Sequence, residues 1–223
     1  MMTSRLKMGS CTTGLLVLIM LAFPCLSPGQ NAGEGLTAGL SLSGGYVFPA
    51  EKTHGQHLAG GTALVLKFSP YMALELEGAF SSVPTDSQTL GLSQGRLYHI
   101  PVLLNIRFRL PLKNTPLVPF LTVGGGYAFN IMKLDAAMVN NFKDLGFEVS
   151  ETCASAALLQ AGGGVEILLS SKVVVEAFGL YRLSQAKGEW SIADTVSGIR
   201  VSGTIDKVDL DAIVAGCGVR FFF

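Results

Sequence analysis

The sequence predicts an all-β fold, an eight-stranded antiparallel transmembrane β-barrel, and three features carry that expectation. Segments of about ten residues or more alternate apolar residues with polar or small ones at period two. Long and short connections take turns between those segments. The chain is also apolar for its size: 223 residues, 14% of them charged, and a mean hydropathy of +0.46. That length suits one domain. Lysine plus arginine equals aspartate plus glutamate at 16 each, a balance that gives no reason to expect nucleic acid as a partner.

The first element is a targeting segment. Arg5 and Lys7 precede the apolar run GLLVLIMLAF at 14–23, and Pro24, Pro28 and Gly29 break it. The run is short for a membrane helix, so a secretory signal peptide is expected over 1–29, with cleavage after Ala32 as the alternative and the barrel domain over 30–223. Lipidation at Cys25 is a weaker reading because Pro24 stands directly before it. Removal of the signal takes Cys11 and Cys25 and leaves Cys153 and Cys217. Cys153 is expected near the outer end of a strand and Cys217 toward lipid near mid-membrane, so no disulfide is expected. No CxxC pair or histidine–cysteine cluster points to a metal, and no cofactor is expected.

The strands follow in order. Over 36–48, Leu36, Ala38, Leu40, Leu42 and Tyr46 alternate with Thr37, Gly39, Ser41, Ser43 and Gly45. Segments 61–69 and 71–83 continue the pattern. The segment 96–110 is the clearest: Tyr98, Ile100, Val102, Leu104, Ile106, Phe108 and Leu110 share one face, and His99, Pro101, Leu103, Asn105, Arg107 and Arg109 share the other. A helix would mix these sets and put Pro101 inside its hydrogen-bond ladder. Segments 117–133, 156–170 and 172–185 come next. The last, 209–223, sets Ile213, Ala215, Cys217, Val219, Phe221 and Phe223 against Val214, Gly216, Gly218 and Arg220.

Connections near 49–60, 84–95, 134–155 and 186–208 are long; those near 69–71, 111–116 and 170–172 are short. This is the order of a bacterial outer-membrane barrel with periplasmic termini and turns and four longer extracellular loops. Closure is required in lipid because each unpaired backbone group there costs several kcal/mol. Eight strands leave room for side chains or one small ligand, not a broad pore. Gly124–Gly126 and Gly162–Gly164 relieve crowding in so curved a wall. A soluble secreted barrel or sandwich is the competing reading; its would-be solvent faces are poor in lysine, and its apolar faces run on through nearly every segment. Aromatics gather at both segment ends, Tyr46, Phe48, Phe80, Tyr98, Tyr127, Phe129 and Tyr181 at one level and Phe68, Tyr71, Phe108, Phe221 and Phe223 at the other, as two interfacial girdles would.

HIPVLLNIRFRLPL at 99–112, LVPFLTVGGGYAFN at 117–130 and the terminal GCGVRFFF at 216–223 together make 35–223 resemble the small outer-membrane β-barrel family of the OmpA transmembrane domain, OmpX and OmpW-like proteins. The resemblance implies a barrel rather than an activity. It also implies that Phe221 and Phe223 serve as a terminal signal to the barrel-assembly machinery. Cell-wall attachment through the peptidoglycan-binding domain of full-length OmpA-like proteins is not expected from the resemblance.

With the lipid-facing parity set, Lys67, Glu75, Glu77, His99, Arg107, Arg109, Glu166, Glu176, Arg182 and Arg220 point inward. Both signs occur, so a paired interior network is expected, since isolated buried charges are costly. A narrow polar passage is the alternative to a polar plug. For His99 a structural role outweighs a catalytic one, because no serine or cysteine nucleophile can be paired with it. His54 and His57 read as solvated loop histidines, and Trp190, Leu134, Met138 and Leu145 as loop residues open to a partner or the lipid interface. The expected function is a structural or surface-interaction scaffold, monomeric, set in outer-membrane lipids and lipopolysaccharide. A narrow channel for small solutes or hydrophobic compounds, as in OmpW-like relatives, and a lipid A-modifying enzyme are the alternatives.

Overall fold

A computed structural model describes residues 36–50, 55–86 and 94–223, all within the compact unit Leu36–Phe223. The expected signal segment and His54 lie outside the described residues. Ten strands and one helix occur among them: β1 Thr37–Pro49, β2 His57–Lys67, β3 Met72–Asp86, β4 Gln94–Arg109, β5 Leu117–Leu134, α1 Ala136–Asp144, β6 Phe147–Cys153, β7 Ala156–Leu168, β8 Val173–Asp194, β9 Arg200–Asp209 and β10 Ala212–Phe222.

Eight of the strands close a barrel. β1 to β5 pair in sequence, β5 pairs with β7, β7 with β8, β8 with β10, and β10 returns to β1, every pair antiparallel. The last ladder aligns Gly39 with Phe222 and Pro49 with Ala212. Closure leaves no barrel edge, which meets the need to pair every backbone group in lipid. Pro101, in mid-strand, offers no N–H, and the ladder between β3 and β4 is interrupted there, between the pairs Gly78–Val102 and Ser81–His99.

The two faces follow the sequence parity. In β4, His99, Pro101, Leu103, Asn105, Arg107 and Arg109 are buried in the lumen while Val102, Leu104, Ile106 and Phe108 are exposed on the outer wall. The wall is an apolar belt of leucine, isoleucine, valine and aromatic side chains on every barrel strand, the surface a bilayer requires. Glycine lets neighbouring strands approach where the wall bends inward. A methyl group at Gly126 would strike the Val102 carbonyl, and one at Gly164 the Ala177 carbonyl.

At one end the links are tight. Ser69 Oγ accepts from the Tyr71 and Met72 amides at 3.1 Å each, and Ser170 Oγ accepts from the Lys172 and Val173 amides at 3.2 and 3.0 Å. Asn114 takes φ +61° in the link between β4 and β5, a conformation asparagine tolerates better than most residues.

The opposite end departs from the expected open loops. Residues 134–155 hold α1 and β6. Asp135 caps the helix through Oδ1, which accepts from the Ala137 and Met138 amides at 2.8 and 3.3 Å, and Gly146 follows its end at φ +85°. Residues 186–208 are largely strand. β8 runs on for 22 residues, and its upper part pairs with β6 on one side and β9 on the other, so a three-stranded sheet rises above the barrel. The strands inside these expected loops are short, 7 residues in β6 and 10 in β9. The second strand also begins earlier than expected, at His57 rather than 61. His57 is therefore a buried lumen residue, with Nδ1 3.0 Å from the Gly55 carbonyl, and not a solvated loop histidine.

Candidate functional site

The lumen is stratified, and each layer follows from the inward parity of particular strands. Nearest the tight turns, Val65, Ala73, Val174 and Phe222 form an apolar floor. Lys67 stands at its rim with Nζ 5.6 Å from the centre of the Phe222 ring; no carboxylate among the described residues is within ion-pair distance of it.

Above the floor, three glutamates and three arginines interlock. Arg107, from β4, sits at the centre. Its Nη1 donates to Glu166 Oε1 at 3.0 Å and to Glu176 Oε2 at 2.5 Å, and its Nη2 donates to Glu75 Oε2 at 3.2 Å. Its Nε lies 2.7 Å from Glu75 Oε1, close enough for an ion pair but at a poor angle for a hydrogen bond. Arg109 grips Glu166 Oε2 through Nε and Nη2 at 2.9 and 2.7 Å. Arg220, from the last strand, joins Glu75 at 2.7 Å and Glu176 at 3.0 Å. The face of Arg107 lies 3.7 Å from the centre of the Phe120 ring. Opposite charges are thus brought in from five strands, β3, β4, β7, β8 and β10, across the barrel axis.

A second polar layer has its own partners. Arg182 Nη2 meets Glu77 Oε1 at 2.6 Å and its Nε donates to Gln160 Oε1 at 2.8 Å; Gln160 Nε2 donates to Asn105 Oδ1 at 3.0 Å and to Glu77 Oε2 at 3.1 Å. Asn105 Nδ2 completes the ring by donating to Glu77 Oε2 at 2.9 Å. The two layers hold four arginines and four glutamates, so their formal charges cancel. Asn105, Gln160 and Phe120 were not named as site residues from sequence, although Gln160 shares Glu166's parity and Asn105 shares Arg107's.

His99 stands apart from the ion pairs. Its Nδ1 is 2.8 Å from Asn130 Oδ1, and Asn130 Nδ2 donates to the Ala154 carbonyl at 2.8 Å. Leu103, Ala128 and Leu158 pack on one side of the middle lumen and Val47, Leu180, Ala212 and Val214 on another. Voids of about 50 Å³ beside the ionic layer and about 30 Å³ near His57 and His99 lie between these groups, room for a few water molecules.

The open end carries an apolar cap of Val83, Leu97, Cys153, Ala156, Ala186 and Val208, with Met132, Ile205 and Leu210 packed against it. Cys153 and Cys217 are both free thiols, the first buried in this cap and the second exposed on the outer wall. Just above, in the projecting sheet, Glu151 is buried and neither of its carboxylate oxygens has a hydrogen-bond partner among the described residues. Burial raises its pKa to about 7; burial, with Glu151 nearby, raises that of Cys153 to about 11. Trp190 is not a loop residue but the register partner of Glu151. Among the described residues no group of three or more histidine, cysteine, aspartate or glutamate side chains is placed to hold a metal ion.

No family model matches the chain, and no curated protein matches it. Its fold is similar to the outer membrane protein OprG of Pseudomonas aeruginosa, with a TM-score of 0.56 and 16% identity over 84% of this chain and 97% of that one. A major outer membrane protein of Thermus thermophilus gives 0.53 and 12% over 83% and 99%. Neisserial surface protein A gives 0.50 and 11% over 85% and 97%. At these identities the likeness is one of fold.

Proposed function

We propose that this chain is an outer-membrane β-barrel protein that works as a scaffold: a lumen closed by its own side chains holds the projecting β6–β8–β9 sheet and its hairpins on the cell surface. The observation that carries this reading is the two neutral layers of paired charge, together four arginines and four glutamates, that lie in the lumen under an apolar cap. Ions crossing the barrel would have to displace paired, desolvated charges and then pass Leu97 and Val208. The tight-turn end, with both chain termini, faces the periplasm, residues 1–29 serve as the export signal, and Phe221 and Phe223 meet the assembly machinery. The mature protein is a monomer surrounded by outer-membrane lipid.

The reading is not enzymatic: His99 bonds through Nδ1 to Asn130, and among the described residues no serine or cysteine side chain is hydrogen-bonded to its ring as a nucleophile would be. Planar-bilayer recording on folded protein, with folding verified by heat-modifiable gel mobility, tests the closed lumen. Silent bilayers are expected. Steps at the nanosiemens level would replace the scaffold with a channel.

A further inference from the structure

The outer wall carries a feature that neither the lumen nor the barrel's own packing explains. Arg96 and Lys133 are direct register partners on β4 and β5, and both side chains are exposed on the outer face. Like charges directly opposite one another weaken a sheet, and neither makes an ion pair with a carboxylate among the described residues. Immediately below them lies an aromatic pair, Phe80 stacked on Tyr98 at 5.9 Å. Arg96 is also at the rim of a groove of about 930 Å³ in the wall, floored by Gly44 and Gly60 and flanked by Tyr46, Leu58 and Phe80. That volume is in the range of a site for a sizeable organic ligand.

The groove is not a by-product of strand crowding. A Cβ atom at Gly60 would come no closer than 3.8 Å to any described residue beyond its chain neighbours, and one at Gly44 no closer than 3.9 Å, in contrast with the clashes at Gly126 and Gly164. Glycine weakens a strand, and in a strand interior it often marks the close approach of another molecule. Ser82, on the same wall, has a hydroxyl shielded from water and without a hydrogen-bond partner among the described residues, and it too lines the groove.

We infer that this groove is a binding site for a phosphorylated, multiply acylated glycolipid of the lipid A class, with an acyl chain over Gly44 and Gly60 and a phosphate bridging Arg96 and Lys133. Charge complementarity selects the headgroup: a phosphate resolves the repulsion of the cationic pair, and arginine binds it through two parallel donors. The place in the wall selects the leaflet. Basic side chains just beyond an aromatic girdle at the long-loop end sit at the depth of the outer leaflet's phosphates, provided that the loops face outward as proposed above.

Native mass spectrometry of the folded full-length mature barrel in non-ionic detergent tests the site, with diphosphoryl lipid A, monophosphoryl lipid A and phosphatidylglycerol offered at equal concentration. One diphosphoryl lipid A should be retained in preference to the others. The double variant R96Q/K133Q should lower its retention about ten-fold, the effect of losing charge-assisted hydrogen bonds. G60L should lower it as well by filling the groove, and because position 60 faces lipid and a Cβ there meets no clash, this variant should fold and insert normally. Equal retention of phosphatidylglycerol, or retention unchanged in both variants, would overturn the site. Surface labelling of a cysteine placed at Ser197 in whole cells reads the orientation independently. Binding that fails with the loops labelled outside removes the glycolipid site alone, whereas loops inaccessible from outside remove the orientation on which it rests.

Discussion

Arg107 lies face-on to Phe120, with the guanidinium carbon 3.7 Å from the ring centre, while its edges meet Glu75, Glu166 and Glu176. One side chain thus joins three carboxylates from three strands, and the ring below it excludes water. R107M should leave those carboxylates short of a partner and cost about 3–5 kcal/mol of stability, the penalty for breaking a buried ion pair from one side. F120L, which keeps the charges paired, should cost less. Urea titrations of reversible folding into thin-chain liposomes give both values, and equal losses would mean that the network does not hold the wall together.

The lipid-facing parity makes a second expectation. V102R or L104R should lower the folding free energy by roughly 2–4 kcal/mol, as for arginine near the bilayer midplane. Arginine at Val196, which is 90% exposed in the β8–β9 turn, should change it little. The same liposome titrations measure the contrast, and equal effects would require the strand faces to be exchanged.

Glu151 gives the projecting sheet a pH dependence. Burial raises its pKa from 4.5 to about 7, so across that interval the folded chain holds a proton that the unfolded chain has released. The associated stability is complete below pH 4.5 and is lost as pH climbs through about 7. The register neighbours Glu148 and Glu189 project to the other face of the sheet. Trp190 is the chain's one tryptophan and the partner of Glu151. Its fluorescence should titrate with a midpoint near 7, and the transition should vanish in E151Q.

Phe223 tests the assembly role. It is 64% exposed at the end of the last ladder, with Phe221 on the same outer side and Phe222 turned into the floor. Deleting Phe223 alone should reduce outer-membrane insertion at matched low expression, read by fractionation and heat-modifiable mobility. Deleting one residue from the 195–199 turn should reduce it less. Wild-type insertion without Phe223 would end the signal role and leave the barrel untouched.

What the sequence determined by itself was each residue's side of the wall. A strand's side chains alternate strictly, and water, lipid and lumen impose different chemistry on the two faces, so the alternation sorts the residues of each strand into two sets without coordinates. The number of barrel strands was readable because closure in lipid allows few other arrangements, whereas the strands β6 and β9 inside two of the long connections were not. Only the tertiary structure decided who pairs with whom. Arg107 finds Glu166 and Glu176 across 59 and 69 residues of chain, a choice set by the stagger of all eight strands rather than by spacing within any one of them. The same stagger turned His57 inward and left Lys67 on a ring instead of a carboxylate. It also carried β8 far enough past the barrel for β6 and β9 to pair with it, an outcome of cross-strand hydrogen bonding that no single segment encodes.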